Sequence, residues 1–294
     1  MALARQMRDA GREPLIINAD ASQVYADIPI LSAAPSPTDL AEIPHALVGH
    51  IDGADACNAA RWAEEARAAI EQAQEAGAVP IIVGGTGLYL RTMLDGIAPI
   101  PAIPADVRTR VRAMPVGDAY AALMEHDAVR AAMLDPGDST RVQRSLEVVL
   151  ATGRSLLSWQ GDRAGGVSDM VRLVPMVLLP PRDWLASRCA ARIDAMVGAG
   201  ALAEAQRLLT RALDPALPVM RAIGVSEFAS HARGEISLDD AKERAFIATR
   251  QFAKRQYTWF RNQSPAEWPR VDEELNDDNV IYFATLLRQL ALTE

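Results

Sequence analysis

Cysteine is nearly absent from this 294-residue chain: only Cys57 and Cys189 occur, far apart, with no CxxC pair and no nearby pair of histidines. That excludes a disulfide-stapled scaffold and gives no support to a structural zinc site, so both thiols read as buried side chains. Long apolar runs are missing as well, since no stretch approaches the roughly 20 residues that a membrane-spanning helix needs. The opening MALARQMRDAGREP has neither the apolar segment nor the small-residue cleavage site of a secretory signal. The expectation is a soluble, cytoplasmic protein without a membrane partner. Positive charge is in the minority, with 30 Lys and Arg against 38 Asp and Glu and a net charge of -8. A broadly basic nucleic-acid coat is thereby excluded, whereas a local basic groove is not. No internal repeat or low-complexity segment stands out.

What is present is a globular composition, 50% hydrophobic and 23% charged, enough to bury a core as one large domain or a domain with an insertion. Residues 2–10 are strong helix formers that stop at Gly11, and Leu15-Ile16-Ile17 follows as a short strand. The same order returns: Ala59 to Ala76 reads as a helix closed by Gly77, and Val79 to Val83 as a fully buried apolar strand ending in Gly84-Gly85-Thr86-Gly87. Helix, buried strand and glycine-bearing turn are the rhythm of a parallel α/β sheet, whose ligands sit beyond the carboxyl ends of its strands. Pro99, Pro101 and Pro104 then mark a boundary, and residues 98–169 read as a helical insertion into an α/β core made of 1–97 and 170–294. Val171 to Leu179 looks like a return to the sheet, and three helical stretches fill most of 183–262. The last of these begins at Ser237, which forms a capping-box pattern with Asp240. An acidic approach leads to a final helix over Val280 to Leu292.

Four places could carry chemistry. Asp20 and Gln23 follow the first strand and supply a carboxylate and a two-way amide within one turn; the alternative is that Asp20 only caps the next segment. Gly84 to Gly87 frees the backbone to approach an anion, with the Thr86 hydroxyl as a donor, although a ligand-free turn would read the same way. In the insertion, Val142, Leu146, Val149 and Leu150 share one helix face, which puts Arg141 and Arg144 on the exposed one, where a phosphate or only solvent would meet them. Arg250, Lys254, Tyr257 and Arg261 form a basic stripe with an aromatic in it, as looped or single-stranded RNA requires, while Phe252, Trp259 and Phe260 fall toward the core.

Taken together, NADASQVY, VGGTGLYLR, STRVQRSLEVVLATG, MRAIGVSE and ATRQFAKRQYTWFRNQ resemble, in this order and spacing, the bacterial tRNA dimethylallyltransferases over essentially the whole chain. That resemblance implies a P-loop-type parallel α/β core with a helical insertion. It implies transfer of a prenyl group from dimethylallyl diphosphate to the exocyclic amine of the adenosine 3′ of the anticodon, with Mg²⁺ as cofactor and the tRNA anticodon stem-loop as partner; the sequence does not give the oligomeric state, and a monomer is assumed. By the same resemblance Asp20 is the general base, Ala21, Ser22 and Gln23 hold the flipped base beside it, Thr86 touches RNA, and Arg192 binds diphosphate. Further tRNA contacts are implied for Arg108, for Thr140, Arg141, Val142, Gln143 and Arg144, for Arg221 and Gly224, and for Lys254, Arg255, Gln256, Tyr257, Trp259 and Arg261.

One departure matters. The family opens with a strand and a GxxxxGK[ST] loop that cradles the diphosphate, and this sequence contains no Gly-Lys dipeptide. The expectation is that about 15–20 residues of strand, loop and first helical turn are missing upstream. A central strand of that kind contributes on the order of 10 kcal/mol, at roughly 2 kcal/mol per buried apolar residue. A misplaced start is favoured over a truncated gene, and the chain as written is expected to be inactive or nearly so. Two other readings fit parts of the sequence: a non-catalytic tRNA-binding remnant, and a small-molecule kinase on the same core, which leaves the basic stripe unexplained.

Overall fold

The chain enters through α1 (Ala2–Asp9), whose Ala4 and Met7 lie on one face and are buried, and Gly11 at φ +74° takes the left-handed turn that ends it. A computed structural model describes residues 1–293. Strand β1 (Pro14–Asn18) follows, then α2 (Pro37–Glu42), which starts at a capping box between Ser36 and Asp39. Strand β2 (His45–Ala46) leads into α3 (Ala59–Glu75), whose first N–H groups, on Ala60 and Arg61, donate to the Asn58 side chain at 2.9 and 3.1 Å. Strand β3 (Val79–Val83) and α4 (Gly87–Asp95) complete this half.

These strands form a parallel sheet in the order β2-β1-β3, with Pro14 opposite Val79 and Asn18 opposite Val83. The central strand β1 is buried almost throughout, as its apolar run requires. β3 departs from expectation. Its sequence is wholly apolar, yet Ile81 and Ile82 are half-buried and Val83 is 54% exposed, because β3 pairs along one side only and no described strand lies on its other edge.

Two compact units result, one from Met1–Arg91 with the chain from Met170 onward, the other from Thr92–Asp169. The division falls a few residues before the expected 97/98 boundary. The physical reason is that α4 runs unbroken through it, and its last carbonyls, on Met93 and Leu94, accept from Val167 N and Ser168 N inside the insertion. The second unit is helical, with α5 (Ala105–Arg112), α6 (Val116–His126), α7 (Ala128–Ala132), α8 (Ser139–Thr152) and α9 (Leu156–Gly161). They enclose a core of their own that includes Val107, Val111, Leu123, Val142, Leu146 and Val149.

The return to the first unit is shorter than expected. Of Val171 to Leu179 only β4 (Val177–Leu178) pairs, in parallel with β5 (Arg270–Val271), a two-residue partner not foreseen from the sequence. Between them run α10 (Arg182–Gly198), α11 (Ala201–Thr210), a single 3-10 turn (Val219–Arg221), α12 (Val225–Ala232) and α13 (Leu238–Gln263), so four helices stand where three were expected. α13 begins at the Ser237–Asp240 capping box. α14 (Asp277–Leu292) packs on α1, where the Gln6 amide donates to the Ile281 carbonyl at 3.3 Å.

Candidate active site

The site is assembled where β1 and β3 end. Asn18 closes β1 buried, and its side chain ties down the loop after it: Nδ2 donates to the carbonyls of Asp20 at 3.1 Å and Leu47 at 2.9 Å, while Oδ1 accepts from Asp20 N at 2.9 Å. Asp20 Oδ1 accepts from Ser22 N at 2.8 Å and Gln23 N at 3.3 Å. The capping reading of Asp20 therefore holds for one oxygen. Asp20 is half-buried, and its Oδ2 has no hydrogen-bond partner among the described residues, which leaves a carboxylate oxygen oriented by its capping twin and open to a ligand.

The β3 loop is bound to this one. Thr86 N donates to Ala19 O at 3.1 Å, and Thr86 Oγ1 accepts from Ala21 N at 3.0 Å, so the hydroxyl hydrogen stays available for donation. The glycines serve close approach of the protein to itself. A Cβ on Gly84 would sit 2.3 Å from the Ala19 backbone, and one on Gly87 would sit 2.3 Å from the Trp259 ring. Gln256 likewise covers Gly85. Of the two readings of this turn, room for an anion or a ligand-free turn, the close packing of these neighbours on Gly84, Gly85 and Gly87 favours the second.

Beneath the loops lies an aromatic floor. Trp62 is fully buried, stacks on Tyr89 with ring centroids 4.9 Å apart, and donates its indole N–H to Asn18 O at 2.9 Å. Tyr25 Oη accepts from Cys57 N at 3.1 Å, and Tyr89 Oη donates to Cys57 Sγ at 3.5 Å. Burial pushes the Tyr89 hydroxyl well up from the ordinary tyrosine value and raises that of Tyr25, and burial also raises the Cys57 thiol, with the Tyr89 hydrogen bond opposing that rise. All three stay neutral at physiological pH and act as packing rather than as acid or base. Cys189 is buried too, and its thiol is raised by burial.

Gln23 reaches the other wall, where Nε2 donates to Ser32 O at 3.2 Å and Ala33 O at 3.0 Å. Arg192, exposed on α10, donates to the same Ser32 carbonyl at 3.3 Å. The structure thus brings Asp20, Ala21, Ser22, Gln23, Thr86, Arg192 and Gln256 into one connected region.

The basic stripe lies on α13. Arg250, Lys254, Arg255 and Arg261 are exposed, and none has a carboxylate partner among the described residues. Tyr257 is half-buried beneath the Arg182 guanidinium, 5.0 Å from its ring centroid; Arg182 was not foreseen, and a cation beginning a helix after Pro180-Pro181 was the available signal. Arg255 sits over Phe252, which is 36% exposed and so not in the core where periodicity placed it. Trp259 is half-buried against Gly87 and stacks edge-on with Phe260, which leaves little of its ring free for RNA.

In the insertion, Arg108, Thr140, Arg141 and Arg144 are exposed and Gln143 is half-buried. Arg141 pairs with Asp138 at 3.3 Å, and Arg144 with the buried Glu147 at 3.5 Å, to which Arg112 also donates at 3.0 Å. Val142 corrects the expectation of a tRNA contact: it is wholly buried in the helical core because it begins the apolar face of α8. Gly224 is corrected likewise, being buried at the start of α12 with φ +92° and Leu31 packed over it, whereas Arg221 is exposed.

For magnesium the fit is poor. No group of three or more His, Cys, Asp or Glu gathers anywhere among the described residues. The loops after β1 and β3 hold two carboxylates, Asp20 with one oxygen engaged and Asp27 taken up by Arg211 and Gly53 N, so these residues make no magnesium site of their own. No helix among the described residues is long and apolar enough to cross a membrane.

Known proteins supply the context for this arrangement. Residues 23–263 match the family model of IPP transferase. The chain is 56% identical over 292 residues to a tRNA dimethylallyltransferase of Sphingopyxis alaskensis, covering 99% of this chain and 95% of that protein. It is 51% identical over 280 residues to one of Novosphingobium aromaticivorans, covering 95% and 99% respectively. Among solved structures, the full-length tRNA isopentenylpyrophosphate transferase of Bacillus halodurans matches with a TM-score of 0.68 at 27% identity, over 99% of this chain and 90% of that one. A eukaryotic dimethylallyltransferase acting on tRNA matches with a TM-score of 0.73 at 27% identity, over 88% and 66%. On the strength of a family match that spans most of its length and relatives more than half identical to it, the chain belongs to the IPP transferase family of tRNA dimethylallyltransferases.

Proposed function

We propose that this chain transfers a dimethylallyl group from dimethylallyl diphosphate to the exocyclic amine of the adenosine 3′ of the anticodon in tRNA. The observation that carries the reading is the Asp20 carboxylate at the end of β1, with one oxygen capping and the other open, beside the Gln23 amide. An aromatic exocyclic amine is a weak nucleophile. In the proposed step its nitrogen bonds to the allylic carbon, the carbon–oxygen bond to the diphosphate breaks, and the amine proton passes to Asp20. A base so placed accelerates such a step by about 10²–10⁴-fold. Arg192, joined to the same loop as Gln23, is positioned to meet the negative charge that accumulates on the leaving diphosphate. Flipping the adenosine out of its stack takes roughly a few kcal/mol, which contacts to the base and to flanking phosphates must offset. The stripe on α13 and Arg108, Arg141 and Arg144 of the insertion are the groups we assign to those phosphates.

The base role is tested by Asp20→Asn. Single-turnover transfer is expected to fall by about two decades or more while tRNA affinity stays nearly unchanged, and an unchanged rate removes the role from Asp20. The second reading, a tRNA-binding protein that does not hold the donor, is favoured by the stripe on α13, whose cations have no carboxylate partner among the described residues. It is separated by measuring tRNA binding over a salt series together with dimethylallyl diphosphate binding, since it requires salt-steep RNA binding with no donor binding.

A further inference from the structure

Glu204, in α11, is fully buried and has no cationic partner among the described residues. Its two carboxylate oxygens instead accept backbone N–H groups, Oε2 from Ile30 at 3.0 Å and Oε1 from Leu31 at 2.7 Å. A carboxyl group held this deep is retained only with specific hydrogen bonds, and here both go to one short segment of another part of the chain. That segment, residues 28–34, is a single helical turn: Ser32 N donates to Ile28 O at 2.9 Å, Ala33 N to Ile30 O at 3.0 Å and Ala34 N to Pro29 O at 2.9 Å. The leading N–H groups of such a turn have no partner within it, and the carboxylate supplies one to each of two. The turn ends at Ala33 with φ +51°, a left-handed conformation that a residue with a Cβ keeps only when its surroundings impose it.

The far side of the turn faces the strand-end site. Its Ser32 and Ala33 carbonyls take the Gln23 amide at 3.2 and 3.0 Å. A carbonyl only accepts, so the amide must show them its NH₂ group, and both hydrogens are engaged. What Gln23 has left is an acceptor, its Oε1. We infer that Glu204 is a positioning residue: through the turn 28–34 it holds the Gln23 amide in the acceptor orientation, and so selects a purine edge that donates. The exocyclic amine of adenine donates there, whereas the carbonyl of guanine or hypoxanthine does not. Arg192, on the same Ser32 carbonyl, ties the proposed diphosphate contact to this turn. The inference rests on the reading that this site takes a purine with an exocyclic amine.

Two variants of the 294-residue chain test it. Glu204→Gln keeps the shape but offers one acceptor oxygen and sets an NH₂ against the second N–H. Glu204→Asp keeps both acceptors one methylene short, and serves if the first variant does not fold. The first measurement is the ¹⁵N side-chain amide signal of Gln23 in glutamine-labelled protein, identified by its loss in Gln23→Glu. The second is the affinity for two anticodon stem-loops that differ only in adenosine or inosine at the acceptor position. The unsubstituted chain is expected to prefer adenosine by roughly tenfold or more, the discrimination expected of a well-placed hydrogen bond. In the Glu204 variants the preference should fall to within about threefold, with inosine affinity unchanged and the Gln23 signal shifted. Variants that fold and keep both the signal and the preference overturn the inference and leave the purine reading standing. An unsubstituted chain that does not distinguish the two RNAs overturns the purine reading and the selectivity inferred from it, and the Gln23 signal then decides the coupling by itself.

Discussion

At the scale of single residues, the strand-end site works by dividing the duties of each polar atom. Asp20 caps with one oxygen and leaves the other free, Thr86 accepts with its oxygen and keeps its hydrogen, and Gln23 gives both hydrogens away and keeps its carbonyl. The buried hydroxyls below them set a pH limit on the fold. Burial raises Tyr89 and Tyr25, so the folded chain keeps these protons to higher pH than the unfolded chain, whose tyrosines ionise near 10. Their contribution is therefore fully present below about pH 10 and is lost as pH rises beyond it. Melting temperature measured from pH 8 to 11 should fall above about pH 10, and Tyr89→Phe should make that fall shallower; an equal slope in the variant would show that Tyr89 is not the group responsible. Asp20 and Gln23 were legible in the sequence because polar residues after an apolar strand in an α/β fold point at ligands. Glu204 was not, because nothing in AGALAEAQRL separates an acid buried on backbone N–H groups from one in solvent.

At the scale of elements, α13 carries the nucleic-acid argument. Its exposed Arg250, Lys254 and Arg261 have no carboxylate partners among the described residues, whereas Arg141 and Arg144 of α8 are each partly neutralised by an acid within one turn. Replacing Arg250, Lys254 and Arg261 together by Ala should weaken stem-loop binding and make the slope of log K against log salt shallower by roughly 2, three contacts at about 0.7 each for single-stranded RNA. An unchanged slope would move the phosphate contacts off this helix. The helix starts were readable from their caps, as at Ser237, since capping is a local matter of one side chain and the next turn. Strand neighbours were not. β3 has the composition of an inner strand and stands at an edge, and β5 was unforeseen because two paired residues leave no periodic pattern.

At the scale of the whole molecule, the chain is two units with separate cores, and the ends of the insertion are fastened to each other. Ile97 and Ala164 form an antiparallel bridge, and Met93 O and Leu94 O accept from Val167 N and Ser168 N. With its ends closed and its own apolar centre, the fragment 92–169 is expected to fold alone, with helical circular dichroism and a cooperative thermal transition; a non-cooperative melt would show that it depends on the rest of the chain. By itself the sequence determined the α/β class and the family resemblance, and it marked the helical stretch after Pro99 and the polar residues that follow the first strand, because periodicity, caps and turn residues are local and act over a few positions. Only the tertiary structure decided that the glycines after β3 are filled by Ala19, Gln256 and Trp259, that Val142 and Gly224 face inward, and that Glu204 reaches Gln23 through a turn. Those facts depend on which distant segments meet, and contacts of position 204 with 30 and 31 and of position 23 with 32 and 33 leave no mark on the spacing of any of these stretches of sequence.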